Sequence, residues 1–152
     1  MPSVTALEPD RRSFRKLNEW ASANIEGRCD AHVQAGAWDR GRRSAASPIR
    51  AGRQSHVANK GRETQMRALD SVLNGRPCTY LKMDVEGAER EAIAGARQTI
   101  ERERPKLNIA AYHRSEDFFE LPLLIHSLCK DYALYLRHHP YVPAWDTNLY
   151  AR

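Results

Sequence analysis

The fourteen residues Tyr80-Leu81-Lys82-Met83-Asp84-Val85-Glu86-Gly87-Ala88-Glu89-Arg90-Glu91-Ala92-Ile93 constrain this chain more than any other stretch. The run opens as a short strand, with apolar Tyr80, Leu81 and Met83. It stops at two carboxylates, Asp84 and Glu86, and Gly87 then lets the chain turn. A helix follows. Ala92, Ile93, Ala96 and Ile100 recur at three- and four-residue spacing, with Arg90, Glu91, Ala94, Arg97 and Glu101 on the opposite face. Acids therefore stand where a buried strand hands over to a helix, the edge at which open α/β sheets bind ligands. Glu86 and Glu89 also lie near the helix start, where the macrodipole favours negative charge, and for Glu89 this structural role weighs as much as a functional one. Asp84 precedes the helix, so its side chain is expected in the crevice.

A length of 152 residues suits one domain with a real core. No run is apolar and long enough for a membrane span, and no apolar leader core opens the sequence. Cys29, Cys78 and Cys129 are odd in number and form no CxxC pair, which fits a reducing cytoplasm better than a disulfide framework or cysteine zinc site. The net charge is +5, yet Arg40, Arg42, Arg43, Arg50, Arg53, Lys60 and Arg62 supply seven positive charges between Asp39 and Glu63 with no acid among them. The remainder nets −2, so the basicity belongs to one segment. Only Trp38 is an aromatic near that run, which weakens a nucleic-acid reading.

In chain order, Val4 to Leu7 reads as a strand and Asp10 as the N-cap of a helix striped by Phe14, Leu17 and Ala21. Ala31 to Ala35 reads as a second strand, with His32 a structural member of it. Gly36 to Arg62 reads as a loop or weak hairpin, the basic part (40–62) being flexible. A short apolar pattern runs from Met66 to Leu73, with Asp70 a candidate cap. After the organising strand and its helix, Pro105 ends that helix. Leu107 to Tyr112 forms a strand leading to His113, and Ser115-Glu116-Asp117 opens a helix that Pro122 is expected to split. Tyr132 to Arg137 and Thr147 to Tyr150 are expected to pair antiparallel, since no helix fits between them. The sum is an α/β fold, a mostly parallel sheet with a C-terminal antiparallel hairpin.

Leu81-Lys82-Met83-Asp84-Val85-Glu86-Gly87-Ala88-Glu89 closely resembles a motif of the FkbM family of S-adenosylmethionine-dependent methyltransferases. Leu7-Glu8-Pro9-Asp10, Ala68 to Leu73, Lys106 to His113, Glu120 to Ile125, and Tyr135 to His138 with Trp145 to Tyr150 continue the resemblance in order. It covers nearly the whole chain except about residues 40 to 53. It implies a Rossmann-like class I methyltransferase fold, a single 1–152 domain, and S-adenosyl-L-methionine as cofactor. It also implies a strand and glycine-rich turn ahead of Glu8 that this sequence does not show, so the sequence reads as N-terminally truncated, with weak or no cofactor binding. That strand would lie between the Glu8 and Asp84 strands, and its loss would leave a gap or a re-paired sheet.

An acid after a strand in a nucleoside-binding α/β fold accepts hydrogen bonds from ribose hydroxyls, and the resemblance implies that role for Glu8. Gln34 and Trp38, after the next strand, are candidates to touch adenine. Asp84, Glu86 and His113 fall at carboxyl ends of strands, and either a carboxylate or an imidazole can take a proton from a hydroxyl. Asp84 is the first candidate for the orienting or basic carboxylate and His113 the second base. Two acids and a histidine can also hold a metal, but no spacing demands one. His138 and His139 would point to opposite faces of a strand, which argues against a joint site. The favoured reading is an O-methyltransferase of a small-molecule or glycosyl-type hydroxyl. The alternatives are a non-catalytic interaction module and, third, a nucleic-acid binder.

Overall fold

The computed structural model describes residues 3–24, 29–40, 42–44, 64–138 and 147–152. Most of the basic 40–62 segment, and His139, lie outside the described residues.

The chain opens with β1 (Val4–Leu7), α1 (Arg11–Asn24) and β2 (Cys29–Val33), the strands pairing in parallel with Leu7 opposite Val33. Asp10 caps α1 as the sequence suggested: its Oδ1 accepts the Ser13 N–H at 2.8 Å. The second strand lies earlier than the expected Ala31 to Ala35. Ala35 instead turns back, its N–H donating to the Val33 carbonyl.

Three short strands follow: β3 (Gly36–Ala37), β4 (Arg42–Ser44) and β5 (Thr64–Arg67), in the order β3-β5-β4, with β4 and β5 antiparallel. Thr64 to Arg67 is thus a strand, and only Leu69–Leu73 forms the expected short helix, α2. Then come β6 (Tyr80–Met83), α3 (Glu89–Ala94), α4 (Arg97–Glu103), β7 (Lys106–Ala110), α5 (Asp117–Leu128), β8 (Leu134–His138) and β9 (Thr147–Ala151). Their sheet has the order β6-β7-β9-β8, with β6 and β7 parallel and β9 antiparallel to both β7 and β8. The closing hairpin is therefore as expected. Among the described residues β1–β2 and β6-β7-β9-β8 are separate sheets, with no hydrogen-bonded pairing between them.

The core lies between the four-stranded sheet and α3, α4 and α5. Ile93, Ile100, Leu107, Ile109, Leu121, Ile125 and Leu149 are all fully buried in it. Each such side chain contributes about 1.5–3 kcal/mol by leaving water. The organising strand is only half buried, contrary to its apolar reading: Leu81 and Met83 face the core, while Tyr80 and Lys82 are exposed. Its side chains alternate between faces, so only every second one meets the helices. No helix among the described residues is long and apolar enough to cross a membrane.

The helix expected over about 88–102 breaks in two, Glu89–Ala94 and Arg97–Glu103. A Cβ on Gly95 would stand 1.9 Å from the Trp38 carbonyl oxygen, so only glycine permits that approach. Asp70 does not cap its own helix, whose N-cap is Ala68 without a side-chain bond. Its carboxylate reaches across to the start of α4, accepting the Gln98 and Thr99 N–H groups at 2.9 Å and the Thr99 hydroxyl at 2.7 Å. Pro122 does not split α5, which runs unbroken through it. The proline leaves the Phe118 carbonyl without its helical N–H, and Phe118 is exposed, so water can serve that carbonyl.

Candidate active site

The parallel pair β6–β7 carries the site at its carboxyl end. Beyond Met83 the chain turns through Glu86 at φ 55° and Gly87 at φ 90°. Glu86 is in the left-handed region that non-glycine residues rarely occupy, and such strain is held where the surroundings enforce it. A Cβ on Gly87 would lie 3.4 Å from Arg114 Nε and 3.7 Å from the His113 Cβ, so the turn sits against the residues that follow β7.

This turn and the end of β7 bring Asp84, Glu86 and His113 together. His113 Nε2 is 3.6 Å from Asp84 Oδ1 and 3.5 Å from Glu86 Oε2. Both carboxylates are substantially exposed, while the imidazole is 13% exposed. Two further residues complete the cluster. Glu89 is 1% exposed, and its Oε1 accepts the Val85 N–H at 3.0 Å and lies 2.9 Å from His113 Nδ1. An ionised carboxylate only accepts, so Nδ1 carries the proton and, in the neutral ring, Nε2 is the bare nitrogen facing Asp84 and Glu86. Tyr112 donates its hydroxyl to Asp84, 3.1 Å from both oxygens.

Burial alone would push the His113 pKa down. The Glu89 hydrogen bond and the charges of Glu89, Asp84 and Glu86 outweigh it, so the imidazole titrates above the usual histidine range. Burial would raise the Glu89 carboxyl, but the His113 and Val85 contacts prevail and hold it below its ordinary value. Buried Asp117, whose Oδ2 accepts the Arg114 N–H, is pushed up by burial first and by Glu89 second.

Glu8 and Gln34 follow the paired residues Leu7 and Val33, so they share the carboxyl edge of the β1–β2 pair, on a different sheet from the cluster. The Glu8 Oε1 accepts the Asp10 N–H at 2.7 Å, and burial raises its pKa. Gln34 is exposed and Trp38 half-buried, its N–H bonded to the Arg67 carbonyl. His138 pairs with Thr147 Oγ1 at 3.0 Å, away from the cluster. Sequence reasoning left Glu89 evenly balanced and missed Tyr112. The motif holds Glu89, but its contact with His113 spans two elements. Tyr112 read as a strand end, and nothing in the spacing shows that its hydroxyl turns to Asp84.

Parallel strands ending in acids, with helices over one face and an antiparallel hairpin at the edge, define a Rossmann-like methyltransferase fold. The structure superposes with a TM-score of 0.79 on the crystal structure of methyltransferase FkbM from Methylobacillus flagellatus KT, at 33% identity over 99% of this chain. This chain spans 36% of that protein's length. A family model described as the methyltransferase FkbM domain matches residues 1–143. The chain belongs to the FkbM methyltransferase family. A search of curated proteins gives no match.

Proposed function

We propose that the chain carries the catalytic centre of an S-adenosylmethionine-dependent O-methyltransferase acting on the hydroxyl of a small-molecule or glycosyl-type acceptor. The observation that carries this reading is the convergence of Asp84, Glu86 and His113 at the carboxyl end of β6–β7, in a chain of this family. Asp84 orients the acceptor hydroxyl and takes its proton, and Tyr112 holds its carboxylate in place. His113 is the second base, its ring fixed by Glu89. The residues also fit the cofactor at its ribose. Glu8 spends Oε1 on Asp10, which leaves Oε2 to accept ribose hydroxyls at a strand end. Gln34 and Trp38 flank the adenine. Bound there, S-adenosylmethionine supplies an activated methyl group.

In a form of the protein that carries the strand and glycine-rich turn the resemblance implies ahead of Glu8, two substitutions separate the roles. Asp84→Asn is expected to keep cofactor affinity and lower turnover by roughly 10²–10⁴-fold, the range for a lost general base. Glu8→Ala is expected to weaken cofactor binding about ten- to a hundredfold, through hydrogen bonds of about 1.5–3 kcal/mol, with less effect on turnover. Radiolabelled methyl transfer and cofactor titration read the two. Full turnover in Asp84→Asn would remove Asp84 from the chemistry and leave His113 as the base.

A further inference from the structure

We infer that β8, the outer strand of the four-stranded sheet, is the contact surface for a second copy of this chain. The two β8 strands pair antiparallel about a twofold axis at Leu136, and the two α5 helices meet across it. Three observations carry this. The first is the backbone. In the order β6-β7-β9-β8 the last strand has one neighbour, and among the described residues no strand covers its outer side. Ala133 and Arg152 exchange both backbone hydrogen bonds, at 2.9 and 3.2 Å. Bonded and non-bonded pairs alternate along an antiparallel ladder, so Tyr135 and Arg137 also spend their N–H and C=O groups on β9. Leu134, Leu136 and His138 point theirs outward. Such a row is a template for another strand, and proteins commonly blunt it with proline, a bulge or several charges. Here it reads Leu134-Tyr135-Leu136-Arg137-His138 and pairs with β9 without a register shift.

The second is the groove beside that edge. Leu149 and Ala151, opposite Leu136 and Leu134, are buried, so the two leucines share the face that the helices cover. With Phe119 and Leu123 of α5 they line an apolar groove of about 460 Å³. Phe119 and Leu123 are one helical turn apart, and they are 74% and 69% exposed, with Leu136 at 47%. The third is self-complementarity, which selects the occupant. A twofold interface sets one patch against itself. About an axis at Leu136, Leu136 meets its own copy, Leu134 meets His138, and Tyr135 meets Arg137. All the outward backbone groups find partners, and the charged Arg137 faces an aromatic ring and not its own copy. An axis perpendicular to the sheet keeps both α5 helices on one face, so Phe119 and Leu123 of each copy close the groove of the other. A standard interface buries about 800 Å² on each partner. A five-residue edge with one apolar groove falls below that, so the dimer is of the weaker, concentration-dependent kind. This surface is independent of the methyltransferase reading.

The test is analytical ultracentrifugation of the full 152-residue chain, from micromolar to millimolar concentration under reducing conditions. A reversible shift from the mass of one chain to the mass of two is expected. Over the same range, amide hydrogen exchange is expected to slow more at Leu134, Leu136 and His138 than at Tyr135 and Arg137, which are already bonded to β9. Leu136→Pro removes an outward N–H without breaking a bond to β9, and is expected to weaken association by about tenfold or more. Phe119→Glu, on the exposed side of α5, is expected to do the same, and it carries the test if circular dichroism shows that Leu136→Pro does not fold. Glu19→Gln, on α1 in an exposed pair with Arg15, is expected to associate normally. A chain that stays monomeric at millimolar concentration would overturn the assignment and leave the edge to a different protein segment. A dimer that Phe119→Glu leaves unchanged would overturn it as well.

Discussion

His113 Nδ1 lies 2.9 Å from Oε1 of Glu89, twenty-four residues away in the chain, and that contact ties the start of α3 to the end of β7. The folded-state pKa of His113 is raised, so its contribution to stability is full below the unfolded value of about 6.5 and fades as pH rises through the folded value. The Glu89 pKa is lowered, so its share is present above about 4.5 and fades as pH falls through the folded value. Asp84 and Glu86 face the imidazole and their charges help raise it, while Asp117 packs near Glu89, its own carboxyl pushed up by burial and then by Glu89. Urea unfolding should show stability falling as pH rises above about 6.5 and through the raised folded-state value. Glu89→Gln should flatten that slope, and an equal slope in the variant would show that the pair does not set it.

Glu86→Gly tests whether the carboxylate or the turn matters. Leaving the left-handed region to glycine relieves about 1–2 kcal/mol, against about 0.5–1 kcal/mol of added chain entropy. Thermal unfolding should therefore show the variant as stable as the parent or more stable by up to about 1.5 kcal/mol, while Glu86→Val, β-branched at φ 55°, should be clearly less stable.

Gly95→Ala should be among the most damaging single-methyl changes in the chain. The new Cβ would meet backbone, the Trp38 carbonyl, and backbone does not rotate away. A loss of about 3 kcal/mol or more is expected in urea melts, and a loss below about 1 kcal/mol would show that the α3–α4 junction yields.

Asp70→Ala removes three hydrogen bonds at the start of α4 and leaves the buried Thr99 hydroxyl without its partner. A cost of roughly 2–3 kcal/mol follows. Asp70→Asn keeps one acceptor oxygen and should recover part of it in the same melt.

Local signals carried much of the fold. Asp10 caps α1 through its own side chain, and the Tyr80–Met83 strand, the turn at Gly87 and the β8–β9 hairpin are all written in neighbouring residues. Asp84, Glu86 and His113 were likewise recognisable, because strand ends are local features and a carboxyl edge is where ligands collect. Resemblance over several segments in order supplied the family, which the matched domain and the solved structure bear out.

Tertiary structure decided what depends on contacts distant in sequence. Asp70 has the chemistry of a cap, but which helix it caps depends on α2 lying against α4, twenty-eight residues on. Gly95 reads as one small residue in a helical pattern until the Trp38 backbone arrives and breaks the helix there. Pro122 reads as a break, yet the packing of Leu121 and Ile125 on either side holds α5 continuous. Glu89 sits in the motif as a helix-start acid, and only the return of the chain through β7 sets His113 beside this buried carboxylate. Periodicity specifies which face of an element is apolar. It carries no information about which polar groups meet when those faces pack, because that depends on three-dimensional distances between segments far apart in the chain.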